Sequence, residues 1–250
     1  MKSNSNQYIF IYATLMVVIS AAILTLASVG LKPFQDKNIR VEKMQQLLIA
    51  VGIESDAKNA EELYNKYFTE ELAINGKGEI ISNYTDGEQV LGDIRPFEID
   101  LKSEIDKNKR LEDLTQSEAI LPLYVYKDGE KKIFVIPVMG NGLWGGVWGN
   151  IALDEDLNTI YGVNFDHKGE TPGLGAEISE REFANQFTAT TKQIFSDGEF
   201  RSVELVKGAD KNNPHQVDAI SGGTITSNGV SDMIRDCLKF YIPFIKSLNN

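Results

Sequence analysis

The sequence predicts an α+β fold: an N-terminal transmembrane helix, then a mixed, largely antiparallel twisted sheet flanked by helices. Three observations lead there. The chain opens on an uncharged apolar run, Tyr8 to Leu31. Strand-like segments rich in β-branched and aromatic residues gather after residue 120. Strands and helices then mix without the regular βαβ alternation of a parallel sheet.

The elements follow in order. After a flank at 1–7, residues 8–31 read YIFIYATLMVVISAAILTLASVGL. About 20 apolar residues cross a bilayer as a helix, so this run suffices. A cleaved signal peptide would have a shorter apolar region, about 7–15 residues, and a small-residue cleavage site. Ala27-Ser28-Val29-Gly30 is a poor version of such a site. The run is therefore read as a retained, single-pass anchor. Lys2 stands before it; Lys32, Lys37, Arg40 and Lys43 follow it. Counting Lys and Arg places the main domain in the cytoplasm, although long domains translocate largely regardless of charge.

Residues 32–119 read as a helical connector and a charged insertion. In NIRVEKMQQLLIAVGI, Ile39, Met44, Leu47, Leu48 and Val51 fall at helical spacing, and Gly52 is a stop. NAEELYNKYFTEEL reads as a second helix with Leu63, Tyr67 and Phe68 on one face. Residues 84–118 are polar and charged with little periodicity, which suits a long loop or peripheral insertion.

Residues 120–250 read as the main domain. LPLYVYK and KIFVIPV flank an Asp-Gly turn and predict a hairpin. GVWGNIALD and TIYGVNFD predict two further strands joined through DEDLN. After the turn-rich HKGETPGLGAEI, Ser179 with Glu182 predicts a capping box opening a helix through SEREFANQFTATTKQIF. RSVELVKG reads as a strand. The closing segment from Ser227 or Asn228 reads as a helix with Val230, Met233, Ile234, Cys237, Leu238 and Tyr241 on one side.

Composition narrows the function. A net charge of -11 argues against a nucleic-acid surface, which needs a basic stripe. The single cysteine, Cys237, excludes an intrachain disulfide and a thiolate-rich metal site. His167 and His215 have no metal-ligand spacing, so no metal site is expected. GNGLWG at 140–145 fits G-x-G-x-x-G, but a strand follows where a dinucleotide site needs a helix. Its glycines could instead let backbone approach something flat, with Leu143 and Trp144 as apolar surface beside it. Both tryptophans could equally be ordinary packing residues. No phosphate loop or nucleophile elbow is present, and His215 is the single candidate base for Ser221 or Thr224.

The stretch DAISGGTITSNGV at 218–230 gathers Ser221, Thr224, Thr226 and Ser227 around Gly222-Gly223, ahead of a helix. One reading is a helix cap after a glycine turn. The other is a phosphate held at a helix N-terminus, where free N–H groups and a partial positive charge favour an anion. In ETPGLG, Pro172-Gly173 suits a type II turn that would hold Thr171 and Leu174 on one side.

Together GETPGLGAEI and DAISGGTITSNGV resemble the two signature segments of the bacterial FMN-binding domain. The resemblance implies FMN joined through its phosphate to a threonine by a separate flavin transferase. The family pattern is Asp, two variable residues, Ser or Thr, Gly, Ala, Thr. Here it runs from Asp218 to Thr224 and departs at Gly223, where Ala is usual. The resemblance makes Thr224, not Thr226, the attached residue. Ser221, Gly222 and Gly223 would line the phosphate turn. Glu170, Thr171 and Leu174 would contact the ring or ribityl chain, and Gly142, Leu143 and Trp144 would approach the ring from another strand. Lys207 is a candidate to neutralise the phosphate.

The anchor, the insertion, GNGLWG, ETPGLG and the terminal SGGT segment, in that order, resemble the C-subunit family of sodium-translocating NADH:quinone oxidoreductases. The G subunit of the Rnf ferredoxin:NAD oxidoreductase complex is a near relative. The resemblance implies a one-electron relay without a substrate site of its own, neighbouring subunits as partners, and a flavin domain on the outer, periplasmic face of the bacterial inner membrane. That placement is opposite to the one from the Lys and Arg count. An anchored phosphate-ligand binding module without redox function is the alternative of another class.

Overall fold

The computed structural model describes residues 6–108 and 117–248. Residues 1–5 of the flank, and 109–116 of the stretch read as an insertion, lie outside the described residues. The chain divides into two compact units, the first ending at Lys43 and the second beginning at Met44.

Helix α1 runs over Asn6–Ala50 and contains Pro33. Its segment from Gln7 is long and apolar enough to cross a membrane, with a mean hydropathy of 2.5. In the first unit its apolar side chains, Tyr8 to Leu31, are exposed. The helix continues where the sequence reading separated anchor from connector. It stops as expected at Gly52, whose φ is 80° and whose N–H donates to the Ile49 carbonyl at 2.9 Å.

The second unit is built on a seven-stranded antiparallel sheet in the order β3-β2-β1-β4-β5-β6-β7. Its strands are β1 (Phe68–Ile74), β2 (Ile80–Thr85), β3 (Glu88–Leu91), β4 (Leu121–Asp128), β5 (Lys131–Asn141), β6 (Gly146–Leu153) and β7 (Ile160–His167). The hairpin and the two following strands agree with the sequence reading. The first three strands correct it. The predicted second helix ends early: α2 covers only Ala60–Tyr67, and Phe68 turns the chain into β1. FTEEL has helix formers, but β1 lies between β2 and β4, and that pairing overrides local propensity. The stretch 84–118 likewise holds β3, a 3-10 turn at Pro96–Glu98 and α3 (Leu101–Asn108).

Both faces of the sheet are covered. Alternation in β4 sends Leu121, Leu123 and Val125 into one core, shared with Val230, Met233, Ile234, Cys237 and Leu238 of helix α5 (Thr224–Lys239). Tyr124 and Tyr126 point the other way, into an aromatic layer. There Tyr64 stacks on Phe68 at 4.9 Å, and Phe97 meets Tyr124 at 6.3 Å. Burial pushes the phenols of Tyr64 and Tyr124 well above the ordinary tyrosine range, with the Glu71 carboxylate as a second cause.

The C-terminal half corrects two more expectations. No capping box forms: α4 is only Arg181–Asn185, and Ser179 Oγ donates to the Ala176 carbonyl at 2.9 Å. That hydroxyl closes the preceding 3-10 turn, Gly175–Ser179, so it is not available to the helix. The final helix begins at Thr224, earlier than expected, and breaks before α6 (Ile242–Leu248), where Pro243 lacks a backbone donor. Strand β10 (Glu204–Val206) pairs in parallel with β11 (Gln216–Asp218), a strand the sequence did not reveal. The antiparallel pair β8 (Phe195–Ser196) and β9 (Glu199–Phe200) completes the set.

Candidate flavin site

GNGLWG is the tip of the β5–β6 hairpin. Asn141 pairs with Gly146, and Gly142 donates to the Gly145 carbonyl at 2.8 Å. No helix opens here, in keeping with the failed dinucleotide context. β7 ends beside this tip, where Lys168 N–H donates to the Gly146 carbonyl at 2.9 Å. The chain then enters ETPGLG. Gly173 has φ 73°, the left-handed residue the Pro-Gly turn requires, and Leu174 N–H closes onto the Thr171 carbonyl at 3.1 Å.

Helix α5 brings the third segment to the same place. Gly229 lies so close to the Asn141 carbonyl that a Cβ would overlap it, which lets the helix lie directly on the hairpin tip. Sequence reading missed Gly229; a glycine inside a helical pattern was the available signal.

Glu170 ties the three segments together. Its Oε1 accepts from Trp144 N–H at 2.8 Å, and its Oε2 accepts from Thr226 Oγ1 at 2.6 Å. Its own N–H donates to His167 Nδ1 at 3.1 Å, so that nitrogen is an acceptor. Glu170 is only 4% exposed. Its carboxylate therefore faces inward, and Gly175 makes room for it: a Cβ there would stand 2.5 Å from Thr226 Oγ1 and 2.6 Å from Glu170 Oε2.

The hydroxyls separate cleanly. Thr226 and Ser227 are buried: Thr226 holds Glu170, and Ser227 Oγ accepts from Ile220 N–H at 3.0 Å. Thr224 and Ser221 are exposed, and among the described residues neither hydroxyl has a hydrogen-bond partner. No side chain caps α5, so its first N–H groups remain free toward the Ser221–Thr224 turn. His215 Nδ1 lies 3.0 Å from the Ser202 carbonyl, and no hydrogen bond among the described residues joins it to Ser221 or Thr224. The hydrolase arrangement is not assembled.

The same three segments carry exposed apolar side chains: Leu143 at 48%, Trp144 at 68%, Leu174 at 40% and Ile225 at 57%. Leu174 reaches over to Gly222, which joins the ETPGLG turn to the SGGT turn. Thr171 is exposed on the same turn. Lys207 sits exposed in the turn after β10, next to the strand that leads into this segment, and forms no ion pair among the described residues. Asp218 supports that turn by accepting from Ala209 N–H at 2.9 Å.

Gly223, where the family pattern has Ala, has φ -106°, a conformation any residue adopts. A Cβ would meet Ile220 Cγ2 at 3.0 Å and Ile220 Cβ at 3.2 Å, so Ile220 must give by a few tenths of an ångström. Gly223→Ala is expected to shift stability by less than about 1 kcal/mol, because reduced chain entropy in the unfolded state offsets that crowding. Flavin loading should be unchanged; a thermal melt and a flavin-to-protein absorbance ratio check both.

The arrangement suits FMN: free N–H donors and a hydroxyl at a helix N-terminus for a phosphate, next to an apolar surface for a flat ring. The FMN-binding domain family matches residues 142–239. The C subunit of the Na(+)-translocating NADH-quinone reductase from Vibrio parahaemolyticus is 33% identical over 223 residues, 85% of this chain and 83% of that one. The Vibrio anguillarum protein of the same name is 32% identical over 92% of this chain and 90% of its own length. The crystal structure of the Parabacteroides distasonis C subunit superposes with a TM-score of 0.72 at 38% identity, covering 86% of this chain and 96% of that one. Shewanella oneidensis NqrC, at 23% identity, shares the fold with a TM-score of 0.64. The convergence of these segments and the likeness along most of the chain give one conclusion: this protein belongs to the C-subunit family of the Na(+)-translocating NADH-quinone reductases, built around an FMN-binding domain.

Proposed function

We propose that this chain carries FMN as a phosphoester on Thr224 and serves as a membrane-anchored electron relay between other subunits of a Na(+)-translocating NADH-quinone reductase. The observation that carries this reading is the contrast between Thr224 and Thr226. Thr224 stands exposed at the uncapped N-terminus of α5, while Thr226, two residues on, is buried against Glu170.

When bound, FMN supplies the redox chemistry, and the protein supplies position and electrostatics. In this reading the free N–H groups at the start of α5 hold the phosphate, with Ser221, Gly222 and Gly223 shaping the turn. Lys207 adds positive charge nearby. Leu143, Trp144 and Leu174 would give the ring an apolar bed, Gly142 would let the hairpin backbone approach it, and Thr171 would contact the ring or ribityl chain. Glu170 acts as a positioning residue: it fixes Trp144 and Thr226 relative to each other and leaves its own carboxylate out of solvent. A covalent tether lets the cofactor stay partly exposed without being lost, which suits exchange with neighbouring subunits. NADH and quinone bind elsewhere in the complex. The flavin domain lies on the periplasmic face of the bacterial inner membrane, where the flavin transferase works, and α1 anchors it in the bilayer.

Intact mass of the denatured chain, produced with and without a flavin transferase, tests the attachment. The expected result is a gain of one FMN less one water only when the transferase is present. Flavin that leaves on denaturation would support the non-covalent binding module instead.

A further inference from the structure

Among the described residues outside α1, the exposed large apolar side chains fall, Leu248 apart, into two groups. One is Leu143, Trp144, Leu174 and Ile225, on the three segments of the candidate site. The other is Ile80, Val90, Leu91 and Ile94, at the opposite end of the sheet. Strand β3 is the outermost strand there, all of its residues are exposed, and it pairs only with β2 among the described residues. Its outer edge therefore offers unpaired N–H and C=O groups. The segment after it is held flat against β2: Ser82 Oγ lies 3.0 Å from the Leu91 carbonyl and 2.6 Å from the Ile94 carbonyl.

Exposed edges are usually protected by central charges, proline or a covering element. This one has neither charge nor proline at its centre: Gln89 and Val90 lie in its middle, Val90 as a bulge between Gln89, paired with Tyr84, and Leu91, paired with Asn83. Its charges stand to the sides: Asp86, Glu88 and Asp93 are exposed, and none forms a salt bridge among the described residues. Four strand spacings of about 4.8 Å separate β3 from β5, so this edge is on the order of 20 Å from the flavin site.

We propose that the β3 edge docks an extended, basic segment of another subunit of the reductase complex, added to the sheet as a further strand. Backbone pairing supplies the affinity, Val90 and Leu91 the apolar contact, and the three acids select Lys or Arg on the incoming strand. A second copy of this chain is a poor occupant. It would bring the same three exposed acids, Asp86, Glu88 and Asp93, to both sides of the contact, where like charges repel. The proposal rests on the reading of this chain as a subunit of that complex.

The test places photoreactive p-benzoylphenylalanine at Val90, and separately at Glu88, in the full complex in native membranes. Cross-linked peptides are identified by mass spectrometry. The expected product joins either position to one Lys- or Arg-containing segment of a different subunit. Charge reversal by Asp86→Lys with Asp93→Lys should lower the Val90 yield several-fold. A product with a second copy or with lipid alone, or no product at both positions, overturns the proposal. Co-purified subunits and covalent FMN are measured in the same preparation. If both are present without the cross-link, only the docking site falls; if the chain purifies without any other subunit, the functional reading falls with it.

Discussion

Thr224→Ala is expected to eliminate covalently bound flavin, leaving a colourless chain whose denatured mass equals that of the apoprotein. The reason is chemical. Alanine has no oxygen to accept the FMN phosphoryl group, and the two hydroxyls that follow on α5 are poor substitutes. Thr226 is buried and donates to Glu170 at 2.6 Å. Ser227 is committed to Ile220 and buried on the inner side of α5. Thr224 is exposed, so its truncation should leave stability within about 0.5 kcal/mol of the parent. Thr226→Val gives the complementary result: the mass gain persists, but Glu170 loses its hydroxyl partner. A buried acceptor left unsatisfied costs about 1–3 kcal/mol. Intact mass, in-gel flavin fluorescence and a urea titration separate these outcomes. A flavin mass retained by Thr224→Ala would move the attachment point elsewhere.

Arg95→Met is expected to destabilise the second unit by about 3–5 kcal/mol, the effect of leaving a buried charge without its partner. Glu71 is 2% exposed. It accepts from Arg95 Nε at 2.9 Å and Nη2 at 2.5 Å, from Tyr64 Oη at 3.0 Å and from Phe97 N–H at 3.2 Å. The guanidinium also lies over the Tyr84 ring, 4.2 Å from its centroid. Methionine keeps much of that packing and removes the charge. The loss is large against the roughly 5–15 kcal/mol total of a typical domain. Adding Glu71→Gln should recover a substantial part of it, because the amide oxygen can still accept from Phe97 N–H and the amide NH2 can donate to Tyr64 Oη, with no buried charge left. Urea unfolding of the full chain in detergent measures both. Equal stabilities for Arg95→Met and the parent would mean that the pair contributes nothing.

Much of this was legible along the chain. The apolar run, the β4–β5 hairpin, the strands β6 and β7 and the Pro-Gly turn all follow from local signals: length, alternation and residues suited to particular φ values. The two signature segments, through their resemblance to the FMN-binding domain, marked the residues proposed to hold FMN. The elements that went unread have another cause. FTEEL is a strand only because β4 lies beside it, and Ser179 fails as a cap only because its hydroxyl closes the turn before the helix. Strand β11 exists by pairing with β10, which no local window shows. The same holds for Glu170. Its residue type marked it as a candidate, but only the fold turned its carboxylate inward, onto Trp144 and Thr226, and left Thr224 outside. Local sequence determined which backbone conformations and functional groups were available; long-range packing decided which of those groups would be buried as partners and which left facing solvent, because burial is a property of what a residue meets across the chain.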